Sequence, residues 1–378
     1  MRAVLLSLLL VLHPCAALAL TRENVTIFTA NDTLKSCYRN PVLVTLSSGD
    51  LLCFIEERFR GASWTPNERG DHSCSDNGGG HNLGFSRSVD QGRTWSPIIR
   101  LAGNITNLKQ GGVDFTNNAA VVMKLPNGSE RILWQGGTQN NPSKVEHGRI
   151  FQRTSDDGGL TWSKPTDITY AAASVGFAGG TPGPGTCIQL PDGKIAFCAW
   201  GNNASVPFKK PGWGLAVNFA NFITWSDDYG KTWHATEPVG ARGWNECFIA
   251  VLPRNHSSGY SVLEIARRVR PDSSVPPPYA YPPHTYAAVR FSADFQTRSP
   301  IVTLDPHVET PVCEGSLLVH GNDVYFSHPQ STSSRTNLTI HKSEDGGSGF
   351  GYSLSNCRDA VLNTTHSPSH SLNHPPTH

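Results

Sequence analysis

Apolar and polar residues alternate along much of this chain, in short runs separated by turn-forming residues. The alternation is clear over residues 40–54 and 186–199. A two-residue period sends successive side chains to opposite faces, as in a β-strand. No long stretch shows the 3.6-residue period of an amphipathic helix. With 36 glycines and 27 prolines among 378 residues, the chain predicts one large all-β domain made of many short strands.

An eight-residue pattern, Ser-x-Asp-x-Gly-x-Thr-Trp, begins without a mismatch at Ser88, Ser155 and Ser226. A fourth copy at Ser343 lacks the Thr-Trp ending, and a degenerate copy begins at Ser292. Most copies lie about 65 to 70 residues apart, which suits a four-stranded propeller blade with one long loop. Ser and Asp side chains accept hydrogen bonds from turn amides, Gly allows the backbone conformation of the turn, and Trp packs the turn on the sheet. We therefore interpret these boxes as structural and assign them no catalytic role.

The N-terminus predicts an exported protein. Arg2 precedes a short apolar run, and Ala17-Leu18-Ala19 is a small-residue cleavage site, so residues 1–19 are interpreted as a signal peptide. The run is too short for a membrane span, and no later segment qualifies. Glycosylation sequons follow at Asn24, Asn31, Asn104, Asn127, Asn203, Asn255, Asn337 and Asn363. Behind a signal peptide they indicate a glycoprotein, secreted or lysosomal.

Charge and cysteine content exclude some classes of function. Lys and Arg total 31 against 30 Asp and Glu, which argues against nucleic acid as a partner. Eight cysteines remain after the signal peptide, in a compartment that permits disulfides. Their spacing is too irregular for a disulfide scaffold or a zinc site, so some are expected to be buried thiols. No metal and no cofactor are expected.

The boxes and several flanking segments, taken in order, resemble the sialidase (neuraminidase) family. Tyr38-Arg39-Asn40-Pro41 resembles the family's opening Tyr/Phe-Arg-Ile-Pro, with Asn in place of Ile, and residues 51–58 (LLCFIEER) resemble its next strand. The resemblance implies that Arg39 binds the substrate carboxylate. It also implies that Arg58 faces the O4 side of the sugar and that Glu56 supports the arginines.

Further segments continue the same resemblance. Ala266-Arg267-Arg268 is similar to the family's Asn-Ala-Arg, which makes Arg267 the second carboxylate-binding arginine, with Arg268 and Arg270 as alternatives. The stretch from Ser327 to Thr339 makes Arg335 the third. Residues 183–190, which resemble the family's Gly-Pro-Gly…Gln-Leu segment, are assigned to the architecture and part of the pocket wall.

The chemistry of sialic acid fits these residue types. Its anomeric carbon carries a carboxylate, which planar and permanently charged guanidinium groups can bind in bidentate fashion. A carboxylate nucleophile would be repelled there, and sialidases use a tyrosine instead. The resemblance implies that Glu246 activates the tyrosine and that Asp76, on a Gly-rich loop, is the acid/base; Asp71 is the competing acid.

The nucleophile departs from the family pattern. The family places a Tyr-Ser pair after a further strand beyond the last box, whereas here the box runs directly into Gly349-Phe350-Gly351-Tyr352-Ser353. Either Tyr352 serves after a local deletion, or the family's ending is missing or altered, and we favour the second. Residues 351–378 are rich in Asn, Thr, Ser, His and Pro and predict a disordered tail.

The resemblance therefore implies an all-β, six-bladed β-propeller over residues 20–350 with an incomplete last blade, although the sequence itself shows four or five repeats. The implied activity is that of a retaining exo-α-sialidase acting on sialylated glycans. Three alternatives stay open: a sialic-acid-binding lectin without a competent tyrosine, a trans-sialidase, and a peptide-binding propeller that carries Asp boxes.

Overall fold

The strands assemble into five consecutive antiparallel sheets, the blades of a β-propeller. The computed structural model describes residues 25–30, 36–59, 80–103, 115–138, 148–202, 219–240, 244–253, 256–268, 285–347, 349–350 and 352–353. Blade 1 consists of β1 (Ser36–Thr45), β2 (Leu51–Phe59), β3 (Gly80–Ser88) and β4 (Ile99–Ala102). Blade 2 consists of β5 (Phe115–Lys124), β6 (Glu130–Thr138), β7 (Ile150–Ser155) and β8 (Thr166–Asp167).

Two short strands and one short helix lie between blades 2 and 3. They are α1 (Tyr170–Ala173), β9 (Thr181–Pro182) and β10 (Gly185–Thr186). Blade 3 then consists of β11 (Ile188–Gln189), β12 (Ile195–Asn202), β13 (Phe219–Ser226) and β14 (His234–Ala235). Because β9 pairs with β12 while β10 runs parallel to β5, residues 181–186 connect the two blades.

The last two blades repeat the four-strand pattern. Blade 4 consists of β15 (Trp244–Val251), β16 (Val262–Arg268), β17 (Tyr286–Phe291) and β18 (Val302–Thr303). Blade 5 consists of β19 (Ser316–His320), β20 (Asp323–Pro329), β21 (Leu338–Ser343) and β22 (Tyr352–Ser353). In the described part of the chain, no helix is long and apolar enough to cross a membrane.

The propeller is confirmed, but the expected blade number is corrected from six to five within the described residues. Each of the five boxes lies between the third and fourth strands of one blade, including the degenerate copies at Ser292 and Ser343. The repeat count therefore predicted the blade number better than the resemblance did. The physical reason is that one blade needs one such turn and four strands, and the described strands supply five sets.

The boxes form the turns that the sequence predicts. In the first, the Ser88 hydroxyl accepts a hydrogen bond from the Gly92 amide at 2.8 Å, and Asp90 Oδ1 accepts one from the Thr94 amide at 2.8 Å. The second box repeats both contacts, with Ser155 and Asp157 as acceptors. Because the side chains satisfy turn amides, these aspartates are occupied by local structure.

The box glycines also allow neighbouring blades to approach closely. Gly159 has φ +90°, and a Cβ there would lie 2.8 Å from Leu52 of blade 1. Gly230 has φ +84°, and a Cβ there would clash with Leu133 of blade 2. Both the left-handed backbone and the lack of space require glycine. The second and third boxes therefore pack their blades against the preceding ones.

Four apolar clusters fill the contacts between consecutive blades. The alternation along β12 shows how one strand serves two of them. Phe197 faces blade 2, whereas the next residue, Cys198, faces blade 4 and forms a disulfide with Cys247 of β15. Inner blades are thus buried on both faces, so their strands read as nearly continuous apolar runs.

Candidate active site

A buried carboxylate organises the blade 1 part of the site. Glu56 and Arg58 lie two residues apart on β2, so their side chains share one face, and both are almost fully buried. Arg58 Nε donates a hydrogen bond to Glu56 Oε2 at 2.6 Å, and the backbone N–H of Asn117 donates one to Glu56 Oε1 at 2.7 Å. Arg39 of β1 lies directly opposite Glu56 and therefore projects from the same face.

An irregularity in β1 shapes this corner. The register of β1 against β2 shifts between Arg39 and Val42, and Asn40 adopts φ +55°. The side-chain Nδ2 of Asn40 donates hydrogen bonds to Glu56 Oε2 at 3.2 Å and to Asn117 Oδ1 at 3.0 Å. Asn tolerates the left-handed region better than the Ile of the family pattern would. The departure at position 40 thus has a local structural role.

Blade 4 contributes a second arginine–carboxylate pair. Arg267 Nη1 lies 2.9 Å from Glu246 Oε2, with side-chain exposures of 11% and 17%. Arg267 Nε donates to Asn245 Oδ1 at 2.9 Å, which fixes the plane of the guanidinium. The structure therefore brings together the two residues for which the resemblance implies base and carboxylate-binding roles.

The turn before β19 connects two of the predicted arginines. The Val312 carbonyl accepts hydrogen bonds from Arg267 Nη1 at 3.1 Å and from Arg335 Nη2 at 3.2 Å. Val312 has φ +61°, which is a genuine outlier for a β-branched residue. Such strain persists where surrounding contacts over-determine it, and it clusters at functional sites. Arg335 is exposed, so its guanidinium stays accessible to a ligand.

Glu314, two residues along the same turn, joins the two halves of the site electrostatically. Burial and the nearby Glu246 raise the pKa of Glu314 to about 8, while Arg267 and Arg58 act in the opposite direction. Its pKa also responds to Glu56, so charges from blades 1 and 4 both reach this carboxyl.

Tyr286 supports the turn rather than facing a substrate. It is fully buried on β17, opposite Arg267, and its hydroxyl donates to the Cys313 carbonyl at 2.9 Å. Burial raises the pKa of this phenol above its ordinary value. Burial likewise raises the pKa of the Cys313 thiol to about 11, so neither group is a ready nucleophile.

The alternative Arg268 is held on the other side of β16. Its Nη1 donates to Thr303 Oγ1 at 3.0 Å and to Thr285 Oγ1 at 3.3 Å, and its guanidinium lies 5.3 Å from the centre of the Trp244 ring. Because successive strand residues face opposite ways, Arg267 contacts Glu246 while Arg268 has a packing role. Arg270, the other alternative, lies outside the described residues, as do Asp76 and Asp71.

Tyr352 lies on the edge strand of blade 5. Its backbone pairs with Lys342 of β21, and β20 and β21 separate β22 from β19. The Glu314 turn leads into β19, at the opposite edge of the same sheet. Tyr352 therefore occupies the blade edge farther from that turn.

The residues that sequence reasoning missed act through backbone groups or long-range proximity. Asn245 orients Arg267, and the backbone of Asn117 orients Glu56. The Val312 carbonyl accepts hydrogen bonds from two guanidinium groups. The pKa of Glu314 is shifted by both arginine–carboxylate pairs. None of these residues stands in a segment whose sequence indicates such a role. Within the described residues, no cluster of three or more metal-ligating side chains occurs.

The arrangement favours an anionic ligand. Four guanidinium groups belong to this region: Arg39 and Arg58 on blade 1, Arg267 on blade 4 and Arg335 on blade 5. Arg58 contacts the Glu56 carboxyl, and Arg267 contacts the Glu246 carboxyl. Partial burial strengthens charge-assisted hydrogen bonds to such a ligand.

Comparisons with known proteins find similarity to sialidases. No protein-family model matches the chain. It is 27% identical over 352 residues to a sialidase of Bacteroides fragilis, covering 86% of this chain and 56% of that protein. It is 24% identical over 227 residues to a sialidase of Paraclostridium sordellii, covering 56% of this chain and 49% of that protein. The chain thus spans about half the length of these curated relatives.

The fold also matches solved structures. The Hadza microbial sialidase Hz136 superimposes with a TM-score of 0.62 at 22% identity, covering 84% of this chain and 58% of that one. At this identity the match establishes the propeller fold.

Proposed function

We propose that this chain is an exo-α-sialidase that releases terminal sialic acid from glycoconjugates. The observation that carries the proposal is the contact set of Arg267. This one guanidinium pairs with Glu246 and shares the Val312 carbonyl with Arg335. The same guanidinium can therefore bind a carboxylate ligand while it contacts the proposed catalytic base.

In the proposed reaction, Arg39, Arg267 and Arg335 bind the substrate carboxylate, and Glu56 holds Arg58 towards the sugar. Asp76 protonates the leaving oxygen. Glu246 takes the proton of a tyrosine whose oxygen attacks the anomeric carbon and forms a covalent glycosyl-enzyme. Water, deprotonated by Asp76, then cleaves that bond, so the anomeric configuration is retained. Tyr352 is the candidate nucleophile.

The proposal extends to where the protein acts. Residues 1–19 direct export as a signal peptide, and the mature protein is a glycoprotein that is secreted or lysosomal. Support comes from the exposed positions of Asn127 and Asn337, the two sequons within the described residues. Sialylated glycoproteins, glycolipids and oligosaccharides are the proposed substrates.

The direct test is release of a fluorophore from an α-sialoside at acidic and neutral pH, by the full chain and by Asp76→Ala and Tyr352→Phe variants. Activity lost in both variants supports the proposal, with Tyr352 as the nucleophile. Activity that survives Tyr352→Phe assigns the nucleophile elsewhere. A folded protein that neither binds nor cleaves the sialoside contradicts the proposed function.

The position of Tyr352 on an edge strand favours one alternative, a sialic-acid-binding lectin. Such a protein retains the arginines but lacks a tyrosine near Glu246. Saturable binding of a sialoside without turnover at any pH distinguishes it from the enzyme.

A further inference from the structure

The loop that carries Arg335 has no apolar residue to anchor it. It spans residues 330–337, between β20 and β21, and its sequence is QSTSSRTN. Residues 332–337 are all exposed, so buried apolar surface does not fix their position. The Ser331 hydroxyl accepts hydrogen bonds from the Ser333 and Ser334 amides, both at 3.2 Å. These local contacts shape the loop without attaching it to the rest of the propeller.

The two ends of the loop are joined by Gln330 and Asn337. The Gln330 backbone N–H donates a hydrogen bond to the Asn337 carbonyl at 2.9 Å, and Asn337 Nδ2 donates one to the Gln330 carbonyl at 3.1 Å. Asn337 adopts φ +59°, a conformation that asparagine tolerates better than most residues. The backbone of Gln330 therefore closes the base of the loop, and its side chain extends to other parts of the molecule.

The Gln330 side chain joins this base to two further elements. Its Nε2 donates a hydrogen bond to the His307 carbonyl at 2.5 Å, and its Oε1 accepts one from His341 Nε2 at 3.0 Å. A carbonyl oxygen only accepts, so the first contact fixes which way the Gln330 amide is turned. The second contact then requires a proton on His341 Nε2. A single orientation of the amide thus satisfies both partners.

Both partners of Gln330 are themselves held in place. His341 is buried on β21, and its ring stacks on that of His328 of β20, with 5.0 Å between the ring centres and 12° between the planes. His307 lies in the turn after β18, where its own amide donates to Asp305 Oδ1 at 2.8 Å. Gln330 therefore connects the loop to fixed points in blade 5 and in the chain that leaves blade 4.

That same chain also contacts Arg335. From His307 it continues to Val312, whose carbonyl accepts a hydrogen bond from Arg335 Nη2 at 3.2 Å. The loop is thus attached to residues 307–312 both through Gln330 at its base and through the guanidinium itself. Without the Gln330 contacts, one hydrogen bond of an exposed arginine would have to hold the loop against this segment.

We propose that Gln330 is a positioning residue: its side-chain amide holds the 330–337 loop so that the Arg335 guanidinium is in place before a carboxylate ligand binds. This inference rests on the proposed function for the role of Arg335. A guanidinium that is already ordered binds more tightly, because its ordering is not a cost of binding. When the loop is released, apparent affinity falls in proportion to the fraction of protein that presents Arg335 correctly.

The test replaces Gln330 by methionine, which keeps the length of the side chain and removes both of its hydrogen bonds. Gln152→Met is the matched control, since Gln152 on blade 2 also donates to a backbone carbonyl, that of Gly230, and accepts from a ring N–H, that of Trp233. Binding of N-acetylneuraminic acid is followed by NMR titration. We expect the apparent Kd to rise about 3- to 10-fold in Gln330→Met, which is what one neutral hydrogen bond is typically worth, and less than about twofold in Gln152→Met.

Repeating Gln330→Met in an Arg335→Ala protein separates positioning from a general loss of structure. If Gln330 acts through Arg335, the second change has no further effect on Kd in that background. An equal rise in both backgrounds, or no rise in the presence of Arg335, overturns the positioning role and leaves the proposed function intact. If neither wild type nor Gln152→Met binds the sugar, the proposed function fails and this role fails with it.

Limited digestion with trypsin reports on the loop without any ligand. Cleavage after Arg335, followed by mass spectrometry under native conditions, should be about 3- to 10-fold faster in Gln330→Met than in wild type or Gln152→Met, because cleavage needs an opened loop. Equal rates overturn the proposal. If Gln330→Met lacks a cooperative thermal transition, Gln330→Asn takes its place, since its shorter side chain cannot reach both partners, and the same results are expected.

Discussion

Replacing Arg267 by lysine tests the core of the proposed mechanism, because this change keeps the charge and removes the planar fork. Arg267 makes three contacts through two nitrogen atoms: Nη1 to Glu246 and to the Val312 carbonyl, and Nε to Asn245. A lysine ammonium can reach one or two of these acceptors but cannot present two parallel donors to a ligand carboxylate.

The expected loss follows from those contacts. One charge-assisted hydrogen bond is worth about 1.5 to 3 kcal/mol, and the substrate carboxylate loses at least one in the lysine variant. At about 1.4 kcal/mol for each factor of ten, kcat/KM for an α-sialoside should fall about 10- to 150-fold. The ion pair with Glu246 is kept in part, so the variant should fold.

Arg268→Lys is the matched control, since Arg268 is the next residue and faces the other way. Among its contacts are those with Thr285, Thr303 and the Trp244 ring, so the change should cost about 0.5 to 2 kcal/mol of stability and leave kcat/KM within about threefold. Both variants are assayed with the fluorogenic sialoside after their unfolding has been measured. A larger loss of kcat/KM in a folded Arg268→Lys than in Arg267→Lys would refute the reasoning.

Two further predictions concern stability. Replacing Cys198 and Cys247 together by serine opens a cross-link between residues 49 apart, which should lower the free energy of unfolding by about 4 kcal/mol; a thermal transition that reductant does not shift in wild type would contradict this. Burial raises the pKa of Glu264 to about 7 from an ordinary 4.5, so the folded state binds the extra proton between these values. Stability should therefore fall by roughly 2 to 3 kcal/mol as pH rises through this window, and it stays lower above it. Glu264→Gln should abolish that fall in denaturant titrations at pH 5 and pH 8, because a neutral amide can still accept the hydrogen bond from Asn221; an equal fall in both proteins would exclude Glu264 as its source.

Much of the architecture was accessible from local patterns. Boxes at Ser88, Ser155 and Ser226 predicted turns, and the structure places each between the third and fourth strands of a blade. The copies at Ser292 and Ser343 do the same despite their wear, because the Ser–Asp contact that closes the turn survives in both. The expected sixth blade had no such local support, and the described strands do not form it.

The candidate site was accessible only in part. Glu56, Arg58, Glu246, Arg267 and Arg335 could be selected by resemblance to family motifs, since each stands in a recognisable short segment. Glu314 could not, because the raised pKa of its carboxyl comes from burial and from charges on blades 1 and 4 that are distant in sequence. The role of the Val312 carbonyl was likewise hidden, since any residue type carries the same backbone acceptor.

The strand periodicity, the five turn motifs and the residue types available for binding an anion can all be read from local sequence. All of these depend on neighbours within a few residues of one another. Only the folded chain shows that Arg267 rather than Arg268 contacts Glu246, and that charges from other blades act on the Glu314 carboxyl. Those outcomes depend on strand register, on the irregularities in β1 and β15, and on burial. Such long-range contacts set the electrostatics of a site, because charges interact through space rather than along the chain.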